Sequence, residues 1–229
     1  MSITIEMVSD LACPWCWLGL RRLLAAHEME PSIEVQILFR PYELDPTIPP
    51  EGVDYKAYMK ARMGGTGDAE DDGRSSRFKA MREALEQYGR EEDIPFDFAG
   101  MVWRPNTLNA HRLVHWAQGQ GKGAEAKEAL FKAYFSDHKD IGDTGILTDI
   151  SEEIGLDRDI VAKLLASDAD VNTVRQEEAL FQQMGVRGVP TYIGNRSIAV
   201  QGAESAEKLA RFIKTLAAQT PVERPLAAG

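Results

Sequence analysis

The chain has 229 residues, of which 44% are hydrophobic and 27% charged, so it can build one large domain or two modest ones. Its formal net charge of −10 disfavours nucleic acid and an anionic membrane surface as main partners. No apolar run approaches the length of a membrane span, and residues 1–6 lack the basic and apolar regions of a secretory signal, so we expect a cytoplasmic protein.

The only two cysteines, Cys13 and Cys16, form a Cys-Pro-Trp-Cys motif. Residues 3–8 alternate like a half-buried strand, and residues 17–29 carry apolar side chains at helical spacing. Cys13 then stands at a helix start, where unpaired N–H groups and the helix dipole stabilise a thiolate, and Pro14 fits the first helical position. Residues three apart on a helix are about 5 Å apart, which suits a disulfide. The motif therefore predicts a redox-active dithiol.

Three other interpretations of the cysteines remain open. A structural disulfide would close a very small loop and stabilise little. A zinc site could add His111 and His115, which lie four residues apart on a predicted helix, but the gap from Cys16 is far longer than in compact zinc sites. Two inert buried thiols are the third interpretation. A reducing cytoplasm favours a catalytic role.

A second strand is predicted at residues 33–39, which completes a parallel βαβ unit. Prolines and Gly52 then break regular structure. The next part of the chain is almost wholly helical, with candidate helices at 54–63, 75–88, 107–118, 124–135, 146–155, 157–166 and 169–184. Their predicted start signals are Asp54, Ser75 and Asp168 as N-caps, and Asp143-Thr144. The Gly-rich, acidic residues 64–73 are predicted to form a mobile surface loop.

Strand character returns at residues 190–193 and 197–200, which predict a hairpin, and a helix follows at 205–216. The predicted fold class is therefore α/β: a thioredoxin fold (βαβ…ββα) interrupted by a large all-helical insertion. We expect a discontinuous thioredoxin-like domain at 1–45 and 186–218, an inserted helical domain at 46–185, and a frayed tail at 219–229.

Five segments together resemble one known family. They are residues 10–19, 39–46, 106–113, 185–191 and 201–203. In them the chain resembles the DsbA-like thioredoxin superfamily, and within it the cytoplasmic FrnE-like dithiol oxidoreductases. That branch is related to 2-hydroxychromene-2-carboxylate isomerases and kappa-class glutathione transferases.

The resemblance implies that Pro190 is cis and packs beside Cys13. The backbone of Val189 would then face the dithiol and could pair with an extended substrate as an added strand. Trp15, inside the motif, should be partly exposed. The resemblance also places His111 near the active site, where it would either assist proton transfer or pack between the helical insertion and the thioredoxin core.

Two departures separate the chain from the glutathione-dependent branch. The isomerases and transferases have Ser at the position of Cys13, and a Ser-Asp pair where this chain has Ala203-Glu204-Ser205. Both departures favour dithiol chemistry.

We therefore predict a thiol–disulfide oxidoreductase or isomerase that acts on protein or small-molecule disulfides. Cys13 would attack and Cys16 would resolve the mixed disulfide. No metal or bound organic cofactor is implied, and glutathione is a candidate co-substrate. Expected partners are disulfide-containing proteins or small thiols, with monomer and homodimer both open. The alternatives are a glutathione-dependent isomerase or transferase on a small aromatic substrate, and a non-enzymatic metal-binding or chaperone module.

Overall fold

The structure, a computed structural model, describes residues 2–62 and 74–219. It opens with strand β1 (Ser2–Ser9), helix α1 (Pro14–Glu28) and strand β2 (Glu34–Pro41). The two strands are parallel and pair in register, with Ile5 beside Ile37. The predicted βαβ unit is confirmed.

The long middle segment is mostly helical, as predicted. Its elements are β3 (Val53–Asp54), α2 (Tyr55–Arg62), α3 (Arg74–Glu91), β4 (Trp103–Arg104), α4 (Leu108–Gly119), α5 (Gly123–Phe135), α6 (Thr144–Glu153), α7 (Arg158–Leu165) and α8 (Val171–Gln183). The expectation of an all-helical insertion needs one correction, because β3 and β4 pair as a short antiparallel ribbon. Two-residue strands are too short to show a period of two in the sequence.

The predicted helix starts were partly right. The carboxylates of Asp54 and Asp143 accept hydrogen bonds from backbone N–H groups three residues later, as N-caps do. Ser75 lies inside α3, so the prediction that it caps this helix was wrong. The predicted loop at 64–73 lies outside the described residues, as does the predicted tail from 220 onward.

Asp168 was also wrongly predicted as an N-cap, since α8 begins at Val171 and its N-cap is Asp170. The cause is Arg112, a buried arginine of α4. Its guanidinium donates hydrogen bonds to the carbonyls of Ser167 and Ala169 at 2.7 and 2.8 Å. These bonds hold residues 167–169 as a turn, so the helix starts two residues later than the sequence pattern predicts.

The chain then returns to the sheet with β5 (Thr191–Gly194), β6 (Ile198–Gln201) and α9 (Ala206–Gln219). Strand β5 is antiparallel to both β1 and β6, which gives the sheet order β2-β1-β5-β6. The predicted βαβ…ββα order with a helical insertion is confirmed. Gln219, assigned to the tail from sequence, is the last residue of α9.

One aromatic cluster joins the active-site helix to the insertion. The ring of Trp17 in α1 is fully buried, stacks on Phe131 with centroids 6.1 Å apart, and meets Phe96 edge-on at 5.2 Å. This core runs without a break from the thioredoxin-like segments into the helical insertion, so it does not mark a domain boundary. The domain limits at 45 and 186 stay a prediction. No described helix is long and apolar enough to cross a membrane.

Candidate active site

Cys13 and Cys16 occupy the start of α1, as the sequence predicted. Cys13 is the N-cap residue in an extended conformation, Pro14 follows as the first helical residue, and the N–H of Cys16 donates to the carbonyl of Cys13 at 3.0 Å. Both cysteines are free thiols; Cys13 is 5% exposed and Cys16 is completely buried. Cys13 is therefore the more accessible member of the pair.

Val189 and Pro190 lie against the dithiol. The peptide bond between them is cis, as the resemblance implied, and the thiol of Cys13 lies 3.9 Å from the carbonyl oxygen of Val189. Within the motif, half-buried Trp15 meets the ring of Tyr88 in α3 edge-on at 6.2 Å. Partial exposure of Trp15 was predicted correctly.

Gly19 is a packing residue that the sequence interpretation missed. A Cβ at this position of α1 would lie 2.8 Å from Cγ of Pro190 and closer still to the hydroxyl of Tyr192. The missing side chain thus lets α1 approach β5. Tyr192 is fully buried, and burial raises the pKa of its hydroxyl well above the usual range. A glycine inside an otherwise regular helix was the one indication in the sequence.

A buried carboxylate, Asp10, organises the loop before Cys13. Its two oxygens accept hydrogen bonds from the N–H groups of Ala12 and Leu44 at 3.2 and 2.9 Å. Arg104 of β4 and His111 of α4 approach it to 3.9 and 3.7 Å. Burial raises the pKa of Asp10, but its interactions with His111, Arg104 and Leu44 outweigh burial and lower the pKa to about 2.

His111 lies beside this carboxylate. Its side chain is buried, and Nε2 makes no hydrogen bond within the described part of the chain. Two carboxylates interact with it: Asp10, at 3.7 Å, and Glu43, whose pKa His111 lowers against the larger effect of burial. A direct role in proton transfer stays a prediction.

No three His, Cys, Asp or Glu side chains of the described residues are grouped to hold a metal, so the cysteines and histidines considered for zinc do not come together.

A second residue missed from sequence is Lys127 in α5. It is 1% exposed, and its ammonium donates to the hydroxyl of Ser9 at 2.7 Å. No carboxylate in residues 2–62 and 74–219 forms an ion pair with it. The sequence offered one indication that Lys127 is buried: it is a charged residue on the apolar face of α5, beside Leu130 and Phe131.

The electrostatics couple Lys127 to Cys16. Burial lowers the pKa of Lys127 to about 8, and the charge of Cys16 partly opposes this fall. Burial and the neighbouring Cys13 raise the pKa of Cys16, while the charge of Lys127 lowers it. The lysine is therefore a cation placed to favour the thiolate of the buried cysteine.

Comparison with known proteins assigns the family. The sequence profile of the DSBA-like thioredoxin domain matches residues 4–214. The chain belongs to this family. The uncharacterized protein YwbO of Bacillus subtilis is 27% identical over 194 residues, which cover 84% of this chain and 87% of that protein.

Solved structures of other proteins share this fold. The crystal structure of the probable DsbA oxidoreductase SCO1869 from Streptomyces coelicolor is 25% identical, with a TM-score of 0.82 over 99% of this chain and 95% of that one. A 2-hydroxychromene-2-carboxylate isomerase is 18% identical, with a TM-score of 0.69 over 94% of this chain and 97% of that one. Family membership supports thiol–disulfide oxidoreductase or isomerase activity, with thiols and disulfides as the general kind of partner.

Proposed function

We propose that this protein is a cytoplasmic disulfide oxidoreductase whose redox centre is the Cys13–Cys16 pair. The observation that carries the proposal is the arrangement of the two thiols. Cys13 stands at the N-terminus of α1, beside the carbonyl of Val189, and Cys16 is completely buried one helical turn further on. A lone dithiol of this kind suits a compartment that keeps thiols reduced.

The reaction begins at Cys13. Its thiolate attacks one sulfur of a substrate disulfide, which forms a mixed disulfide and releases the first substrate thiol. The thiolate of Cys16 then attacks Sγ of Cys13 and releases the second substrate thiol. Two electrons pass from the protein to the substrate, and the Cys13–Cys16 disulfide remains. The oxidised protein runs the same steps in reverse when it accepts attack by a substrate thiol.

Buried groups support the second step. The thiol of Cys16 has to lose a proton although burial raises its pKa, and the charge of Lys127 stabilises the resulting anion. Neutral Lys127, with a pKa of about 8, can also accept that proton. Asp10 contributes by holding the backbone of Ala12, next to Cys13, through a hydrogen bond.

Substrate binding involves the wall that faces the dithiol. The backbone of Val189, beside Cys13 and next to cis Pro190, can pair with an extended polypeptide as an added strand. Protein disulfides are therefore suitable substrates. We propose glutathione as the co-substrate that reduces the Cys13–Cys16 disulfide after each turnover, with Pro14 and Trp15 flanking the approach.

The experiment compares Cys13→Ser with Cys16→Ser. The Cys16→Ser protein should retain substrate as a mixed disulfide on Cys13, visible by mass spectrometry and reversed by reductant, while Cys13→Ser should retain none. Brief alkylation of the wild type near neutral pH should modify Cys13 before Cys16. Preferential labelling of Cys16, or disulfide reduction that persists in Cys13→Ser, would contradict the proposed roles.

A further inference from the structure

A cavity of about 490 Å³ lies between the start of α1 and helices α2, α3 and α5. Ala12 and Pro14, the two neighbours of Cys13 in the chain, form part of its wall. Much of the remaining wall is apolar, with Met59, Met81 and Phe98 among its members. The volume is within the range of small-molecule sites, and the cavity borders the proposed redox centre.

The charged residues of this cavity are all of one sign. Four arginines line it, and no Asp or Glu does so among the described residues, although the whole chain carries a net charge of −10. Two of the four are paired with carboxylates: Arg62 lies 3.4 Å from Asp45, and Arg82 lies 2.9 Å from Glu86. An apolar space bordered by arginines favours a ligand with an apolar body and a negative charge.

Arg104 is the buried member of this set. It is 7% exposed, and its guanidinium donates to the carbonyl of Ala12 at 2.7 Å, next to Cys13. Its Nε is buried and makes no hydrogen bond within the described residues, while Asp10 lies 3.9 Å from Nη2. A buried donor with no partner is unfavourable, and an arginine fork matches the two oxygens of a carboxylate.

We propose that this cavity binds small aromatic thiols and disulfides that carry a carboxylate. The carboxylate accepts hydrogen bonds from Arg104, and the aromatic ring lies against the apolar wall. Arg104 is hydrogen-bonded to Ala12, the residue before Cys13. A small ligand whose carboxylate binds Arg104 is therefore long enough to reach Cys13 with its sulfur atoms. The inference rests on the proposed function and gives it a class of small substrate.

The chemistry follows the dithiol cycle. The thiolate of Cys13 attacks the disulfide of the bound molecule, forms a mixed disulfide and releases one aromatic thiolate. The thiolate of Cys16 breaks that mixed disulfide and releases the second aromatic thiolate. The protein loses two electrons in forming the Cys13–Cys16 disulfide, and the substrate gains them.

The kinetic test uses two aromatic disulfides that release coloured thiols. Bis(carboxynitrophenyl) disulfide carries the carboxylate, and dipyridyl disulfide is neutral. The measured quantity is the ratio of their second-order rate constants with the reduced protein. Arg104→Gln should lower this ratio by about tenfold or more, as expected for loss of a charge-assisted hydrogen bond. Arg211→Gln, a change at an exposed residue of α9, should keep the wild-type ratio.

A binding test works without the dithiol. Carboxynitrophenyl methyl sulfide has the same ring and carboxylate but cannot exchange with a thiol, so titration calorimetry gives its affinity for the Cys13→Ser/Cys16→Ser protein. Adding Met81→Trp, which fills the cavity from α3, should weaken binding by about tenfold or more. The Met81→Trp variant still tests whether the cavity binds the ligand if Arg104→Gln does not fold.

The outcomes separate the two proposals. A ratio that is unchanged in Arg104→Gln, or an affinity that is unchanged in Met81→Trp, would overturn the cavity assignment. Failure of the wild type to reduce either disulfide would instead contradict the proposed function, while the binding test would still report on the cavity.

Discussion

The ammonium of Lys127 in α5 donates a 2.7 Å hydrogen bond to the hydroxyl of Ser9, the last residue of β1. This contact fixes a fully buried cation close enough to Cys16 to lower the pKa of its thiol. Burial disfavours the charge of this lysine, so its position costs stability. We take its target to be the resolving thiolate.

Replacement of Lys127 by Met should slow resolution of the mixed disulfide. Without the cation the pKa of Cys16 rises further, and each unit lowers the thiolate fraction, and so the rate at neutral pH, by about tenfold. The pH profile of the step should shift to higher pH. Stopped-flow measurement of release of the second substrate thiol gives both quantities.

Two controls separate this effect from a purely structural one. Lys127→Arg retains a cation and should recover part of the rate. Lys132→Met removes an exposed lysine of the same helix, paired with Asp137, and should leave the profile in place. A pure packing role for Lys127 predicts a stability change with no shift of the pH profile.

Ionised Asp10 should make the free energy of unfolding fall more steeply as the pH is lowered. Its pKa is about 2 in the folded protein against 3.8 for an ordinary Asp, so its charged form stabilises the fold. This contribution is fully present above pH 3.8 and is lost as the pH falls through 2. The shift corresponds to roughly 2 kcal/mol, an order of magnitude that urea unfolding at several pH values can detect.

The variant Asp10→Asn should lose about that much stability near pH 7 and unfold with a shallower dependence on pH in the acid range. Asp159→Asn, at an exposed position in the first turn of α7, serves as the matched control. If both variants show the wild-type acid dependence, the ionised form of Asp10 is not what stabilises the loop before Cys13.

The order of the elements and the position of the dithiol could be predicted from the sequence. Alternation over residues 3–8 and the cysteines at a strand-to-helix junction are local patterns, and the structure has the strand and the junction where they were expected. The strand is not half-buried, however, because Glu6 and Val8 are buried as well as Ile5 and Met7. The cis bond before Pro190 depended on the family resemblance, since only a few per cent of X–Pro bonds in folded proteins are cis.

The polar groups around the dithiol could not be predicted in the same way. Lys127 lies 118 residues from its partner Ser9 and Arg104 lies 92 residues from its partner Ala12. Their importance lies in burial and, within the described residues, in incomplete pairing. Neither property is local in sequence. The predicted start of α8 was wrong for a similar reason. Arg112 of the distant helix α4 donates hydrogen bonds to the carbonyls of the turn that precedes α8.

Gly19→Ala tests the packing of the active-site helix against β5. The added methyl group would overlap the hydroxyl of Tyr192 and crowd Pro190, so we expect a loss of roughly 1–3 kcal/mol in the free energy of unfolding. The rate at which Cys13 attacks disulfides should fall as well, since Pro190 and Val189 lie beside it. Urea unfolding and disulfide reduction assays give the two effects.

The double variant Gly19→Ala/Tyr192→Phe identifies the clashing atom. The hydroxyl of Tyr192 is buried and makes no hydrogen bond to the described residues, so its removal should restore much of the stability that the single variant loses. Gly119→Ala, at the last residue of α4, places the same methyl group in open space and should be neutral or slightly stabilising. Equal effects at Gly19 and Gly119 would mean that backbone freedom, and not the approach of α1 to Tyr192, explains the glycine.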